Sequence, residues 1–227
     1  MVAVARKRGG SDYSSFLDGV DNSRNFAIPT TPKGRSTLGL MAAHPRSLGE
    51  TLLRFYKLTH ERLLKVAEDM SPEQFAWSGG PSLHSVAWQL WHAARWDDVL
   101  ASYFHRALGQ EPHKQVWERD SLADRWSLAS GSMGVRDTGT QMSDETAEEI
   151  RFPDQKEVVD YARLAFAYAN EAIELIPDDL LLAGAKDDPD GDTALDNVLI
   201  YLEHLSRHLG MIESIRGLQG LVGSSTR

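Results

Sequence analysis

The sequence predicts an all-α protein: a four-helix bundle with short accessory helices and a long insertion between its second and third long helices. Four stretches of about twenty residues carry apolar side chains at helical spacing. Several are bounded by capping residues, prolines or glycines, the usual start and stop signals of helices. Nothing reads as a strand or an internal repeat. With 227 residues, 41% of them hydrophobic, the chain is long enough to bury a core without staples.

Residues 1–45 mix glycine, serine, proline and scattered charge without periodicity, and read as a flexible or extended N-terminal arm. Met41 also begins a shorter reading of the chain. The bundle is expected over 46–219. Its first helix runs from about Leu48 to Met70, with Leu48, Leu52, Phe55, Leu58, Leu63, Val66 and Met70 as the apolar stripe. Ser71, Pro72, Glu73 and Gln74 resemble a capping box with proline at the first helical position. They open a short helix through Phe75 and Trp77 that Gly79, Gly80 and Pro81 break.

The second long helix is expected from near Ser82 to about Leu108, with Val86, Leu90, Ala93, Ala94 and Leu100 beside Trp88, Trp91 and Trp96. Residues 109–151 are irregular, with Trp117, Trp126, Gly131, Gly134 and Gly139 as landmarks. Loops of that length more often form lids or mouths than plain connections. Asp154 and Glu157 cap a third helix from about Gln155 to Leu175, buried through Val158, Tyr161, Leu164, Ala165, Tyr168 and Ile173; Pro177 ends it. The stretch Leu180 to Asp192 is acidic and turn-rich. Its Asp187 to Asp192 segment lacks the spacing and terminal glutamate of a calcium loop, so it reads as a solvated turn. The last helix starts near Thr193 and carries Leu195, Leu199, Leu202, Leu209, Ile212 and Ile215 to about Gly217. Residues 220–227 form a frayed tail.

Composition narrows the chemistry. The chain has no cysteine, which excludes disulfides, thiolate metal sites and a cysteine nucleophile. A net charge of -9 disfavours nonspecific nucleic-acid binding, which needs a cationic footprint. No apolar run approaches a membrane span, and Arg6, Lys7 and Arg8 are not followed by the apolar core of a secretion signal. A cytoplasmic protein with neither nucleic-acid nor membrane partners is the expectation.

His204 and His208 stand one helical turn apart and project from one helix face. A third imidazole from a packed neighbour, with His92 between Trp91 and Ala93 as the candidate, would complete a three-nitrogen site with an open position. The alternative is an ordinary histidine pair on a helix surface and a satisfied, half-buried His92. His44, His60, His105 and His113 read as surface or capping residues, with His84 undecided. Ligand imidazoles need partners on their other nitrogens, and Glu203, Asp97, Asn197 and the tyrosines are candidates. A zinc-protease motif is absent because Glu203 precedes His204 rather than following it. No phosphate loop, nucleophile elbow or hydrolytic triad emerges.

Several stretches carry a resemblance: Ser82-Leu-His-Ser-Val-Ala-Trp-Gln-Leu-Trp-His-Ala-Ala-Arg-Trp-Asp-Asp98, Arg125-Trp126 to Gly139-Thr140, Phe152-Pro-Asp154, and His204-Leu-Ser-Arg-His208-Leu-Gly-Met-Ile212. Over residues 47–218 the chain resembles the DinB/YfiT-like family of metal-binding four-helix bundles. The resemblance implies that His92, His204 and His208 hold one divalent metal ion, zinc first, with nickel, iron and manganese as alternatives. It further implies a thiol S-transferase activity in which a low-molecular-weight thiol such as bacillithiol or mycothiol attacks a small electrophile. Trp88, Trp96 and Trp126 are the expected wall of the substrate pocket, with a place in the core as the alternative for each tryptophan, and a homodimer is the expected assembly. A metal-dependent hydrolase using bound water and a non-catalytic, stress-associated metal-binding bundle are the alternatives.

Overall fold

A computed structural model describes residues 47–80, 82–110, 114–183 and 193–222. The proposed arm, the Asp187 to Asp192 turn, the end of the tail, His44 and His113 lie outside them. Among the described residues every regular element is a helix.

Helix α1 (Leu48–Glu68) opens on a capping box: the Ser47 hydroxyl accepts the Glu50 N–H while the Glu50 carboxylate accepts the Ser47 N–H. Short α2 (Pro72–Ala76) repeats the device with Ser71 and Gln74. Helix α3 (Val86–Ala107) begins four residues later than its pattern suggested. Gly80 and Leu83 pair across a tight turn, and Ser85 is the residue whose side chain caps Trp88 N–H. The insertion contains three short helices, α4 (Val116–Arg119), α5 (Leu122–Arg125) and α6 (Asp144–Glu149). Asp154 caps α7 (Gln155–Leu175), α8 (Asp178–Leu181) follows, and a Thr193/Asp196 capping box starts α9 (Ala194–Leu218).

The four long helices form a ring in which α1 and α3 each pack against both α7 and α9, so that α1 lies diagonally across from α3 and α7 from α9. Side-chain bonds give the directions. Tyr56 Oη donates to Val198 O at 2.7 Å and Arg216 Nη1 to Val66 O at 2.7 Å, so α1 and α9 run parallel. Asp98 meets Tyr161 and His105 stacks on Tyr168, so α3 and α7 also run parallel. Gln89 pairs with His208, and Trp96 meets Tyr201, which sets α3 antiparallel to α9.

This topology explains the insertion. Two adjacent parallel helices of about 30 Å cannot be joined by a tight turn; the chain must travel back along the bundle. It does so beside α3, in the opposite direction: Arg95 binds the carbonyls of Arg136 and Asp137, Trp96 donates to Thr140, and Ser82 reaches Asp144. Helix α3 is therefore enclosed by α7, α9 and the insertion. Trp91, Leu90, Ala93, Ala94 and Phe104 are all buried, as expected of a helix apolar around most of its circumference.

Several predicted core positions fall elsewhere. Phe55 and Leu58 are exposed, and α1 buries the stripe Leu52, Tyr56, His60, Leu63 and Ala67 instead. Leu164 and Leu199 are likewise exposed, while Phe166, Val198, Tyr201 and Leu205 are buried. His60 is not a surface residue: its Nε2 lies 2.6 Å from Asp97 Oδ2, and its ring stacks on Phe166 at 4.1 Å. His105 is buried too, paired through Nδ1 with Gln110 and stacked on Tyr168. In each case an aromatic face covers the imidazole while one ring nitrogen keeps a polar partner, which offsets the cost of burying a polar ring.

Candidate metal centre

His92 comes from the middle of α3 and His204 and His208 from successive turns of α9. His204 Nε2 lies 3.1 Å from His92 Nε2 and 2.9 Å from His208 Nε2. These three form a histidine cluster whose donor atoms all lie within 4.8 Å of one another. Metal–imidazole bonds of about 2 Å place ligand nitrogens about 3 Å apart, so the spacing fits a shared cation.

The outer nitrogens decide what faces inward. His92 Nδ1 donates to the backbone carbonyl of Thr138. His208 Nδ1 donates to Gln89 Oε1 at 2.5 Å. With their protons at Nδ1, both rings present only a lone pair at Nε2. One proton on His204 can answer one of those lone pairs but not both, whereas a cation answers all three. His204 Nδ1 is buried without a hydrogen-bond partner. The donor set is thus neutral, nitrogen-only and oriented, as divalent transition metals require.

The expected outer partners differ from those observed. Asp97 pairs with His60, Glu203 with Arg207 at 3.1 Å, Asn197 with Thr193 O, Tyr56 with Val198 O, and Tyr161 with Asp98. Asp97 follows His92 by five residues, which turns it well around the helix toward α1. Gln89 and Thr138 hold the rings instead. Gln89 was readable as a polar residue amid Trp88, Leu90 and Trp91 on a buried helix. The Thr138 carbonyl, 46 residues from His92, carries no side-chain signature.

Trp88 lies face to face on His92, with ring centroids 4.6 Å apart and planes 12° apart, and the half-buried His84 covers its other face at 4.1 Å. Trp96 stands one turn along α3, edge-on to Tyr201 and hydrogen-bonded to Thr140 Oγ1 at 3.0 Å. Trp126 packs against Trp117, Phe152 and Tyr161, and connects to Trp88 through Trp91 and Trp117. Gly139 closes the site from the insertion. It has φ +89°, and an added Cβ would stand 2.8 Å from the Trp88 ring and 3.2 Å from His92 Nδ1.

Burial makes protonation of the trio costly. It lowers His92 to about 4 despite the opposing Thr138 hydrogen bond. Burial, reinforced by the charge a protonated His92 would carry, lowers His204 to about 3. His208 falls well below its ordinary value through burial and then its two neighbours. Below the ordinary histidine value of 6.5, the unfolded chain takes up protons that the folded chain refuses, so stability must fall with pH. Metal-free protein is therefore expected to keep full stability above about pH 6.5 and to lose it steadily from there toward pH 4. Urea midpoints at pH 7, 6 and 5 in the presence of chelator check this; a flat or rising series would contradict it.

Fold and site together define a helical protein with a three-histidine cluster, His92 and His208 buried and His204 half-buried, between its second and fourth long helices, able to hold a metal ion. The chain belongs to the DinB superfamily, whose sequence profile matches residues 56–212, well over half its length. A solved structure of a conserved protein from Enterococcus faecalis superimposes with a TM-score of 0.65, at 16% identity, over 77% of this chain and 98% of that one. At that identity the likeness speaks for the fold alone. A search of curated proteins found no match. Among the described residues no helix is long and apolar enough to cross a membrane.

Proposed function

We propose that this protein is a divalent-metal-dependent enzyme in which His92, His204 and His208 hold the ion and a low-molecular-weight thiol attacks a small electrophile. The observation that carries the reading is the convergence of three imidazoles, two of them oriented by outer hydrogen bonds, in a chain without a cysteine of its own. A divalent ion bound there supplies Lewis acidity, which lowers the pKa of a thiol or water brought to it. Zinc is the proposed metal, because neutral nitrogen donors in threes with an open position are its usual catalytic set.

The chain's own residues have separate tasks. Gln89 and the Thr138 carbonyl fix which nitrogen of each ring faces inward. Trp88 covers one face of His92 and keeps water from it. Trp88 and Trp96, about two turns apart on α3 with His92 between them, are proposed to wall the electrophile's pocket, and Trp126 to back that wall through Trp117 and Trp91. In the transfer the thiol sulfur bonds to the electrophilic carbon, the leaving group departs with its electron pair, and the thiol proton passes to solvent.

The test is turnover of zinc-loaded protein with a panel of small electrophiles, with and without added low-molecular-weight thiol. Conjugation that requires the thiol and stops on chelation is the expected result. Thiol-independent consumption of the electrophile would replace transfer with hydrolysis, and bound metal without turnover would remove the enzymatic reading while leaving the site.

A further inference from the structure

Arg95 is 1% exposed, and every nitrogen of its guanidinium is engaged. Nε donates to Asp137 O at 3.0 Å, Nη2 donates to Arg136 O at 3.0 Å and Gln115 Oε1 at 2.8 Å, and Nη1 donates to Asp98 Oδ2 and Tyr161 Oη, both at 3.3 Å. Its Cζ lies over the Trp117 ring, 5.0 Å from the ring centre. Asp98 is held in turn by the N–H groups of Val116 and Trp117, at 2.7 and 2.9 Å.

Two of these bonds go to carbonyls immediately before Thr138, the residue whose own carbonyl receives His92 Nδ1. Arg136 and Asp137 both have φ +53°, a left-handed conformation that non-glycine residues hold only when their surroundings impose it. A buried cation bonded to both carbonyls is such an imposition. A guanidinium suits the role because its planar fork serves several acceptors in fixed directions, which an ammonium cannot.

We propose that Arg95 is a positioning residue of the three-histidine centre: its guanidinium sets the backbone of residues 136–138 so that the Thr138 carbonyl meets His92 and turns its Nε2 toward His204. The inference rests on the reading of the cluster as a metal site, but its first consequence is visible without metal. Arg95 touches none of the three histidines; it acts through the insertion, from a point one turn along α3 from His92.

The test uses Arg95→Lys in the full chain, with Ile173→Ala as a control that opens a cavity in buried α7 and lowers thermal stability without touching residues 136–138. Imidazole nitrogen NMR of metal-free protein reads which His92 nitrogen carries the proton. The wild type and the control are expected to show His92 protonated at Nδ1, and Arg95→Lys a mixture of tautomers. Zinc affinity is then expected to fall about 10–100-fold in Arg95→Lys and to stay unchanged in the control. If Arg95→Lys does not fold, Gln115→Ala, which removes the acceptor orienting Nη2, is expected to give a smaller shift in the same direction. Wild-type His92 resonances in whichever variant folds would overturn the proposal. A tautomer change in protein that binds no zinc would uphold the positioning role and discard the metal reading instead.

Discussion

Replacing His204 or His208 with alanine is expected to abolish stoichiometric binding of a divalent metal while leaving the bundle folded. Each substitution removes one of three clustered nitrogens, His204 Nε2 lying about 3 Å from each of the other two. The loss should exceed the roughly 10–100-fold cost of removing an outer-shell partner. Folding should survive because the metal-free trio stabilises little: three desolvated imidazoles crowd their lone pairs, and His204 Nδ1 is buried without a partner. Wild-type protein with metal at about 100 times its dissociation constant should gain about 2.7 kcal/mol, and the variants none. Thermal melts with and without zinc measure both quantities at once. A variant that melts normally and still gains stability from zinc would contradict the assignment of that ligand.

Gly139→Ala is expected to be the single-methyl change in the insertion that strikes the histidine cluster most directly. The backbone there has φ +89°, and the new Cβ would meet Trp88 Cζ2 at 2.8 Å, Trp91 Cζ3 at 3.0 Å and His92 Nδ1 at 3.2 Å. Backbone strain of about 1–3 kcal/mol adds to overpacking of similar size, for a total of about 2–6 kcal/mol. None of the struck atoms is the far end of a flexible side chain. Trp91 is fully buried, and Trp88 is held between His84 and His92. The least costly relief is to displace the insertion, which pulls the Thr138 carbonyl from His92, so metal affinity should fall together with stability. Urea unfolding and zinc titration of the same variant check this; a loss of less than about 0.5 kcal/mol with unchanged affinity would contradict it.

The helices were legible because their signals are local. Ser71, Asp154 and Thr193 each cap through a bond to a residue three positions on, and such spacing is visible in a one-dimensional string. The pair His204 and His208 was legible for the same reason. The apolar stripe of α1 was misread because two stripes of helical period compete there. One contains Phe55 and Leu58; the other contains Tyr56 and His60, whose polar atoms lower its apparent hydrophobicity. Tertiary partners decide between them, since Tyr56 finds Val198 O and His60 finds Asp97 inside the core.

What escaped reading depends on direction and distance. That α3 and α7 run parallel follows from how the ring closes, and only that fact turns the insertion from an irregular loop into a return path along α3. The outer partners of the histidines escaped for a related reason. Thr138 contributes a backbone oxygen, identical in every residue, and becomes specific to His92 only through the path that brings it there. Asp97, by contrast, looked like a holder because a carboxylate five residues from a histidine is conspicuous, yet helical rotation points it toward α1.

Elemental analysis of the full chain, purified without a histidine tag, saturated with zinc and then dialysed free of unbound metal, tests the central claim most directly. The account predicts about one divalent ion per chain in the wild type, none in His204→Ala, and binding by the wild type that weakens as pH falls, because protons compete for the same nitrogens. Wild-type protein that stays metal-free under saturating zinc, or that carries equal metal with and without His204, would contradict it.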